Sequence, residues 1–293
     1  MLAQLHGTPY RPSCIGLAVV LLAVGAGAHA ADDPAPLSFA FASQAGSGIY
    51  DIEGRVVQIY RIPIEFTVRP YEKDGKWGAA VRMPITFGFY DFDAGDALSG
   101  NFPTHVGTAS LLLGVRFDVS AKSNWVLSPY VDFGAAKDFS GGSLVWVYDL
   151  GLKSVVSFPA GSWDVRAGQE LLWAGAAQSA DPLTGWFGEA DAGFEFRHEL
   201  PWNAGKTRGE VGLFIVYQRY FKHSQSFESS SPIATFSAEP ATIPGVDEQT
   251  EVGLSFGTRP KLSWWKLSMP KLGLSYRFGD GIAAVRIIFG EIF

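Results

Sequence analysis

The sequence predicts an all-β chain closed into a transmembrane, antiparallel, up-and-down β-barrel of about twelve strands, with about ten as the alternative. Three observations predict it. Segments of about 10 to 17 residues alternate apolar and polar side chains, their number is even, and the connections between them are short on one side and longer on the other. Strands of about 10 residues are what a tilted membrane-spanning segment needs, whereas soluble sandwiches manage with about 5 or 6.

The strands are read, in order, at 37–45, 54–70, 77–90, 104–119, 124–137, 143–158, 163–175, 185–200, 207–223, 248–258, 263–278 and 282–293. In the second, Tyr60, Ile62, Ile64, Phe66 and Val68 share one face while Arg61, Glu65, Thr67 and Arg69 share the other. In the third, Ala79, Val81, Met83, Ile85, Phe87 and Phe89 oppose Arg82, Thr86 and Tyr90. Leu144, Trp146, Tyr148, Leu150 and Leu152 oppose Asp149 and Lys153, and Ala190, Ala192, Phe194 and Phe196 oppose Glu189, Asp191, Glu195 and Arg197. The charges sit in mid-strand, in both signs, between large apolar neighbours. One face therefore suits hydrocarbon and the other an enclosed polar interior. The first strand, carried by SFAFASQ, is brief, and without it the count would be odd. Connections 71–76, 120–123, 159–162, 201–206 and 259–262 are short, while their alternates at 46–53, 91–103, 138–142, 176–184, 224–247 and 279–281 include the long ones. This phase puts the C-terminus on the short-turn, periplasmic side. Pro63, Pro84, Pro129 and Pro270 fall inside these segments; each removes a ladder donor, so each should mark a bulge, an irregularity or a displaced boundary.

The N-terminus reads as a cleaved signal peptide over 1–30, followed by a single barrel domain over 31–293. Met1–Ser13 carries Arg11 and no acid, Cys14–Gly27 is apolar but shorter than a spanning helix, and Ala28-His29-Ala30 offers small residues before a cleavage point. Cys14 is the one cysteine, so the exported part holds together without disulfides. The formal charge of −6 argues against nucleic acid as a partner. Aromatic residues make up 14% of the chain and recur near strand ends, where rings with one polar edge suit a membrane–water boundary.

The last segment, from Gly281 to Phe293, resembles the C-terminal assembly signal of bacterial outer-membrane barrels, with Ile287, Phe289 and Phe293 on an outward apolar row and Glu291 falling on that row near its end. A free-standing barrel ending in Phe resembles the translocator barrel of autotransporters, here without a passenger. The resemblance implies bacterial outer-membrane location, surrounding outer-membrane lipids, and the barrel-assembly machinery as a partner read through Phe289 and Phe293. Autotransporter barrels are preceded by a helix threading the pore; Ala31–Gly54 has no helical period.

The inward set is Arg61, Glu65, Arg69, Arg82, Arg116, Asp118, Asp132, Asp149, Lys153, Asp164, Arg166, Glu170, Glu189, Asp191, Glu195 and Arg197. It supports two functions. Paired charges brace a narrow interior, or the charge rows line a conduit for small polar solutes. Because both signs interleave, bracing is favoured. An enzyme acting on lipid or peptide at the extracellular rim is the alternative from another class. It would need a base beside a nucleophile, and His223, next to Ser224 and Ser226, is the nearest approach to that. His105, His198 and His223 have no metal-ligand spacing, Gly46-Ser47-Gly48 lacks the lysine and helix of a phosphate loop, and no cofactor is expected. Segment 224–247, rich in Ser, Pro and Ala, reads as an exposed loop.

Overall fold

A computed structural model describes residues 43–52, 55–71, 76–89, 107–139, 144–178, 181–204, 207–223, 248–259, 263–264, 267–268, 271–279 and 282–293. The strands are β1 (Gly48–Ile52), β2 (Arg55–Arg69), β3 (Trp77–Phe89), β4 (Thr108–Lys122), β5 (Trp125–Asp138), β6 (Leu144–Ala160), β7 (Trp163–Gln178), β8 (Asp181–Ala204), β9 (Thr207–His223), β10 (Glu248–Arg259), β11 (Ser263–Trp264), β12 (Leu267–Ser268), β13 (Leu272–Gly279) and β14 (Ile282–Phe289). All but β11 and β12 form one closed barrel in which each strand pairs antiparallel with its sequence neighbours and β1 closes on β14. The barrel therefore has twelve strands, the number the alternation predicts.

Alternation places the strands because a residue and its directly paired neighbour share a face. Outward residues such as Leu113, Leu150 and Leu171 are 62%, 60% and 60% exposed, too open to be packed against protein. Aromatic rings gather near the strand ends: Trp173 stacks on Trp186 with centroids 4.2 Å apart, and Phe133 stacks on Trp146 at 5.5 Å. Two ends can be told apart. At the turn end, where β14 finishes, connections 123–124, 161–162 and 205–206 are tight; the loop end carries 90–107 and 224–247.

Four features differ from the sequence reading. The first described strand is Gly48–Ile52: Ser43–Ala45, the end of the expected strand 37–45, is helical, the backbone swings at Gly46 (φ 81°), and residues 37–42 lie outside the described residues. The segment 263–278 divides into the β11–β12 hairpin and β13, with Pro270 falling between them, outside the described residues; the stretch from β10 to β13 is consequently longer than the turns at 123–124 and 161–162. β14 stops at Phe289, where Gly290 takes φ 117°. Connection 176–184 shrinks, since β7 and β8 extend to Gln178 and Asp181.

Pro63, Pro84 and Pro129 find sites where no donor is missed. The β3–β4 ladder skips between Arg82↔Gly114 and Ile85↔Leu111, at Pro84. The β4–β5 ladder skips between Arg116↔Tyr130 and Val119↔Leu127, at Pro129. Pro63 pairs with Pro84 on the β3 side and turns its nitrogen to the other side, beyond the reach of β1.

The loop-end half of the interior is an apolar core. Ile59, Ala136, Val145, Val147, Ala174, Ala176, Phe187, Tyr220, Ile282 and Ala284 interlock there with Tyr50 and with Ala45 from the turn before β1. Phe187 is 1% exposed and meets Tyr220 with ring centroids 6.0 Å apart. Truncating it, Phe187→Ala, should destabilise the barrel by about 3–5 kcal/mol, read as a shift in the urea midpoint of refolding in detergent micelles, whereas Leu150→Ala on the outer face should cost much less in the same assay.

Candidate functional site

Below the apolar core the interior becomes ionic. Arg82 reaches Asp132 at 3.0 Å and lies 4.2 Å from the centroid of the Tyr130 ring. Asp149 stands directly opposite Asp132 across the β5–β6 ladder and accepts from the Gln44 side chain, which crosses from the turn before β1. Glu170 accepts from the Tyr130 hydroxyl and pairs with Lys153 at 3.1 Å. Glu189 and Asp191 share the Gln218 amide nitrogen, at 3.0 and 3.1 Å. Glu251 pairs with Arg277 at 2.8 Å and with Arg286, and accepts from Ser275. A cavity of about 200 Å3 lies among these groups, with Arg61 on its lining.

A second ionic layer occupies the turn end. Asp164 bridges Arg197 (2.5 Å) and Arg259 (2.7 Å), Glu210 pairs with Lys271 (2.7 Å) and Arg259 (3.1 Å), and Glu195 pairs with Lys271 at 3.1 Å and lies 3.6 Å from Arg166. Nearby on the wall, Arg116 joins Glu65 at 2.6 Å to Asp118 at 3.0 Å. Pairing offsets much of the cost of removing these charges from water, since each lone charge would cost several kcal/mol, although Glu195 Oε2 and Arg197 Nε are buried without a hydrogen-bond partner among the described residues.

Among the ionic groups, glycines on the wall make room for large side chains. A Cβ on Gly151 would strike the Tyr130 ring, at 2.1 Å. The space over Gly168 and Gly193, cross-strand partners on β7 and β8, holds Phe293: a Cβ there would come to 2.0 and 3.0 Å from its ring. After Gly290 the chain thus turns into the lumen, Glu291 reaching Arg166 at 2.6 Å and Phe293 crossing to the far wall. The expected outward position of Phe293 on a continuous row with Ile287 and Phe289 is corrected accordingly; Ile287 and Phe289 do face outward, 49% and 42% exposed.

Of the sixteen charges assigned inward from sequence, one is misplaced. A bulge between Thr67 and Arg69 shifts the register so that Arg69 pairs with Ala79, which turns its guanidinium outward over the Trp77 ring at 3.9 Å. The others stand on the interior face, joined by Glu210, Glu251, Arg259, Lys271, Arg277 and Arg286, which the sequence reading left out. Their signal was present: Glu251, Arg277 and Arg286 alternate with apolar neighbours as Asp149 and Lys153 do. His198 lies at the turn end, its Nδ1 3.1 Å from the Ser162 carbonyl oxygen and its ring 5.0 Å from that of Trp163; His105 and the side chain of His223 lie outside the described residues.

Glu251→Ala should destabilise by about 3–5 kcal/mol because it strands two arginines, while Glu199→Ala, which removes an exposed pair with Arg208, should cost less than about 1 kcal/mol; urea midpoints in micelles separate the two. Gly168→Val should be destabilising through the Phe293 ring, and adding Phe293→Ala should recover part of the loss, a coupling read by a double-mutant cycle.

No family model matches the chain, and no curated protein matches it. Among solved structures, the β domain of the Bordetella autotransporter Brka is similar at TM-score 0.52 and 13% identity, over 81% of this chain and 91% of that chain. A bacterial polysaccharide outer membrane secretin matches at TM-score 0.37 and 10% identity, over 80% of this chain and 81% of that one, too low a score to indicate a shared fold. The chain is a closed twelve-stranded antiparallel barrel with the fold of an autotransporter β domain.

Proposed function

We propose that this chain is an integral protein of the bacterial outer membrane, a barrel whose interior is braced shut and which carries no steady flow of solute. The observation that carries the reading is the stacking of fillings along its axis: an apolar core at the loop end, an ionic belt, the Phe293 ring over Gly168 and Gly193, and a second ionic layer. A conduit needs a continuous polar path, and the core around Phe187, Tyr220 and Val147 interrupts the charge rows.

The outer face supports the placement in lipid. Its exposed Leu, Ile, Val and Phe side chains surround the whole barrel, and such a continuous apolar band on a closed barrel is stable only against acyl chains. Outer-membrane lipids are then the permanent partner. The barrel-assembly machinery would read Phe289 and Phe293 before Phe293 turns inward. The similarity to an autotransporter β domain supports the same compartment.

The cavity of about 200 Å3 favours a second, narrower reading, a water-filled chamber that holds small polar solutes without passing them. Neither reading includes catalysis. In planar lipid bilayers the folded protein should give no discrete conductance steps; reproducible steps in the unmodified protein would overturn bracing in favour of a conduit.

A further inference from the structure

The strand that closes the barrel is shorter than the wall it closes. β1 pairs over Gly48–Ile52 with Arg55–Ile59 of β2 and with Ile282–Arg286 of β14. One further bond runs from the Ile287 N–H to the Ser47 carbonyl oxygen at 3.0 Å. On the β2 side the Ser47 hydroxyl accepts from the Arg61 N–H at 2.8 Å and donates to the Arg61 carbonyl at 2.9 Å, standing in for strand backbone. Beyond Arg61, β2 continues to Arg69 with ladder partners on the β3 side alone among the described residues. Since Arg61 turns both backbone groups toward β1, strand alternation sends the N–H and C=O of Glu65 and Thr67, and the C=O of Pro63, the same way. In hydrocarbon a bare edge of this kind has no water to bond. β2 and β14 both run toward the turn end, so the strand that fits between them must run antiparallel to both, which is the direction of β1.

We propose that this edge is a docking site for residues 37–45 of the same chain, which extend β1 along β2 in exchange with the inward course of Ser43–Ser47. Continuing the Gly48↔Ile59 register sets Phe41 opposite Phe66, and Ala42 and Ala40 opposite Glu65 and Thr67, whose backbone groups on this side have no ladder partner among the described residues. The side-chain pattern fits as well. Ile49 faces outward, so Leu37, Phe39 and Phe41 would face lipid beside Phe66 and Val68, while Ser38, Ala40, Ala42 and Gln44 would face the lumen. One segment cannot occupy both places. In the inward course Gln44 binds Asp149 on the far wall, and the Tyr50 hydroxyl holds the Ala45 and Gly46 carbonyls. With Ser43–Ser47 turned inward, the edge beyond Arg61 has no ladder partner among the described residues, and docking of 37–45 on it withdraws the plug.

This docking rests on the membrane placement proposed above, and cysteine cross-linking tests it apart from that placement. In a Cys14→Ser background, Phe41→Cys and Phe66→Cys would be a non-hydrogen-bonded antiparallel pair with Cα atoms about 4.5 Å apart, within disulfide range. In folded, membrane-inserted protein, with insertion scored independently by heat-modified gel mobility, this pair should form an intramolecular disulfide, while Phe41→Cys with Leu150→Cys should not. Gln44→Ala, which removes the hydrogen bond to Asp149, should raise the linked fraction relative to the unlinked by roughly 2- to 10-fold. No disulfide in correctly inserted protein would overturn the proposal. So would a dimer-sized product from Phe66→Cys alone, which would give the edge to a second copy.

Discussion

A charge inside a narrow barrel has nowhere to go except to another charge, and the interior of this protein is organised around that constraint. Glu251 satisfies Arg277 and Arg286; Lys271 is held by Glu195 and Glu210; Arg197 and Arg259 converge on Asp164. Most of these groups come from different strands, so the pairs act as rungs across the lumen as well as along its wall. Replacing the set by apolar residues of like volume could leave stability unchanged. What the pairs add is registration, because a strand slipped by one residue would present a carboxylate to lipid and an isoleucine to the ionic layer.

The other fillings follow from what remains. Where the wall carries no charge, at the loop end, the space is filled by interlocking apolar side chains, as in a soluble core. Where it carries glycine, it receives rings from elsewhere in the chain: Tyr130 over Gly151, Phe214 over Gly253, Phe293 over Gly168 and Gly193. Twelve strands enclose more volume than side chains pointing straight inward can fill. The segments flanking the barrel, Ser43–Ser47 and Glu291–Phe293, supply part of the remainder from the two sides of the β1–β14 seam.

Much of the wall was legible in the sequence because alternation is a local property: Tyr60, Ile62, Ile64 and Phe66 declare a strand and its lipid face without reference to any other segment. Strand number follows from the same signal, although the first described strand, Gly48–Ile52, lies just beyond the alternating SFAFASQ segment. What could not be read were features that depend on contacts between distant segments. The turn of Arg69 onto Trp77 comes from a bulge that only the pairing with β3 reveals. The inward bend at Gly290 is indistinguishable, by alternation alone, from a strand carried through to Phe293. Pro63, Pro84 and Pro129 looked like objections to a strand and proved to lie at an open edge and at two ladder gaps, positions defined by neighbours. Alternation alone does not divide the interior into layers, because Val145, Val147, Ala174 and Phe187 share the parity of the charges. Sorting them into layers needs the heights of all strands at once.

The claim beneath all of this is that the two faces of each strand meet different media: acyl chains outside and a packed, water-poor interior within. Spin labels placed one at a time along β6, from Leu144 to Ala160, in protein reconstituted into bilayers test it directly. The account predicts that oxygen collisions rise at Trp146, Tyr148, Leu150 and Leu152 and fall at Val145, Val147, Asp149 and Gly151, with a water-soluble nickel chelate reaching neither set. Equal nickel access at every position, or a period-two pattern with nickel reaching Val145 and Val147 freely, would contradict it.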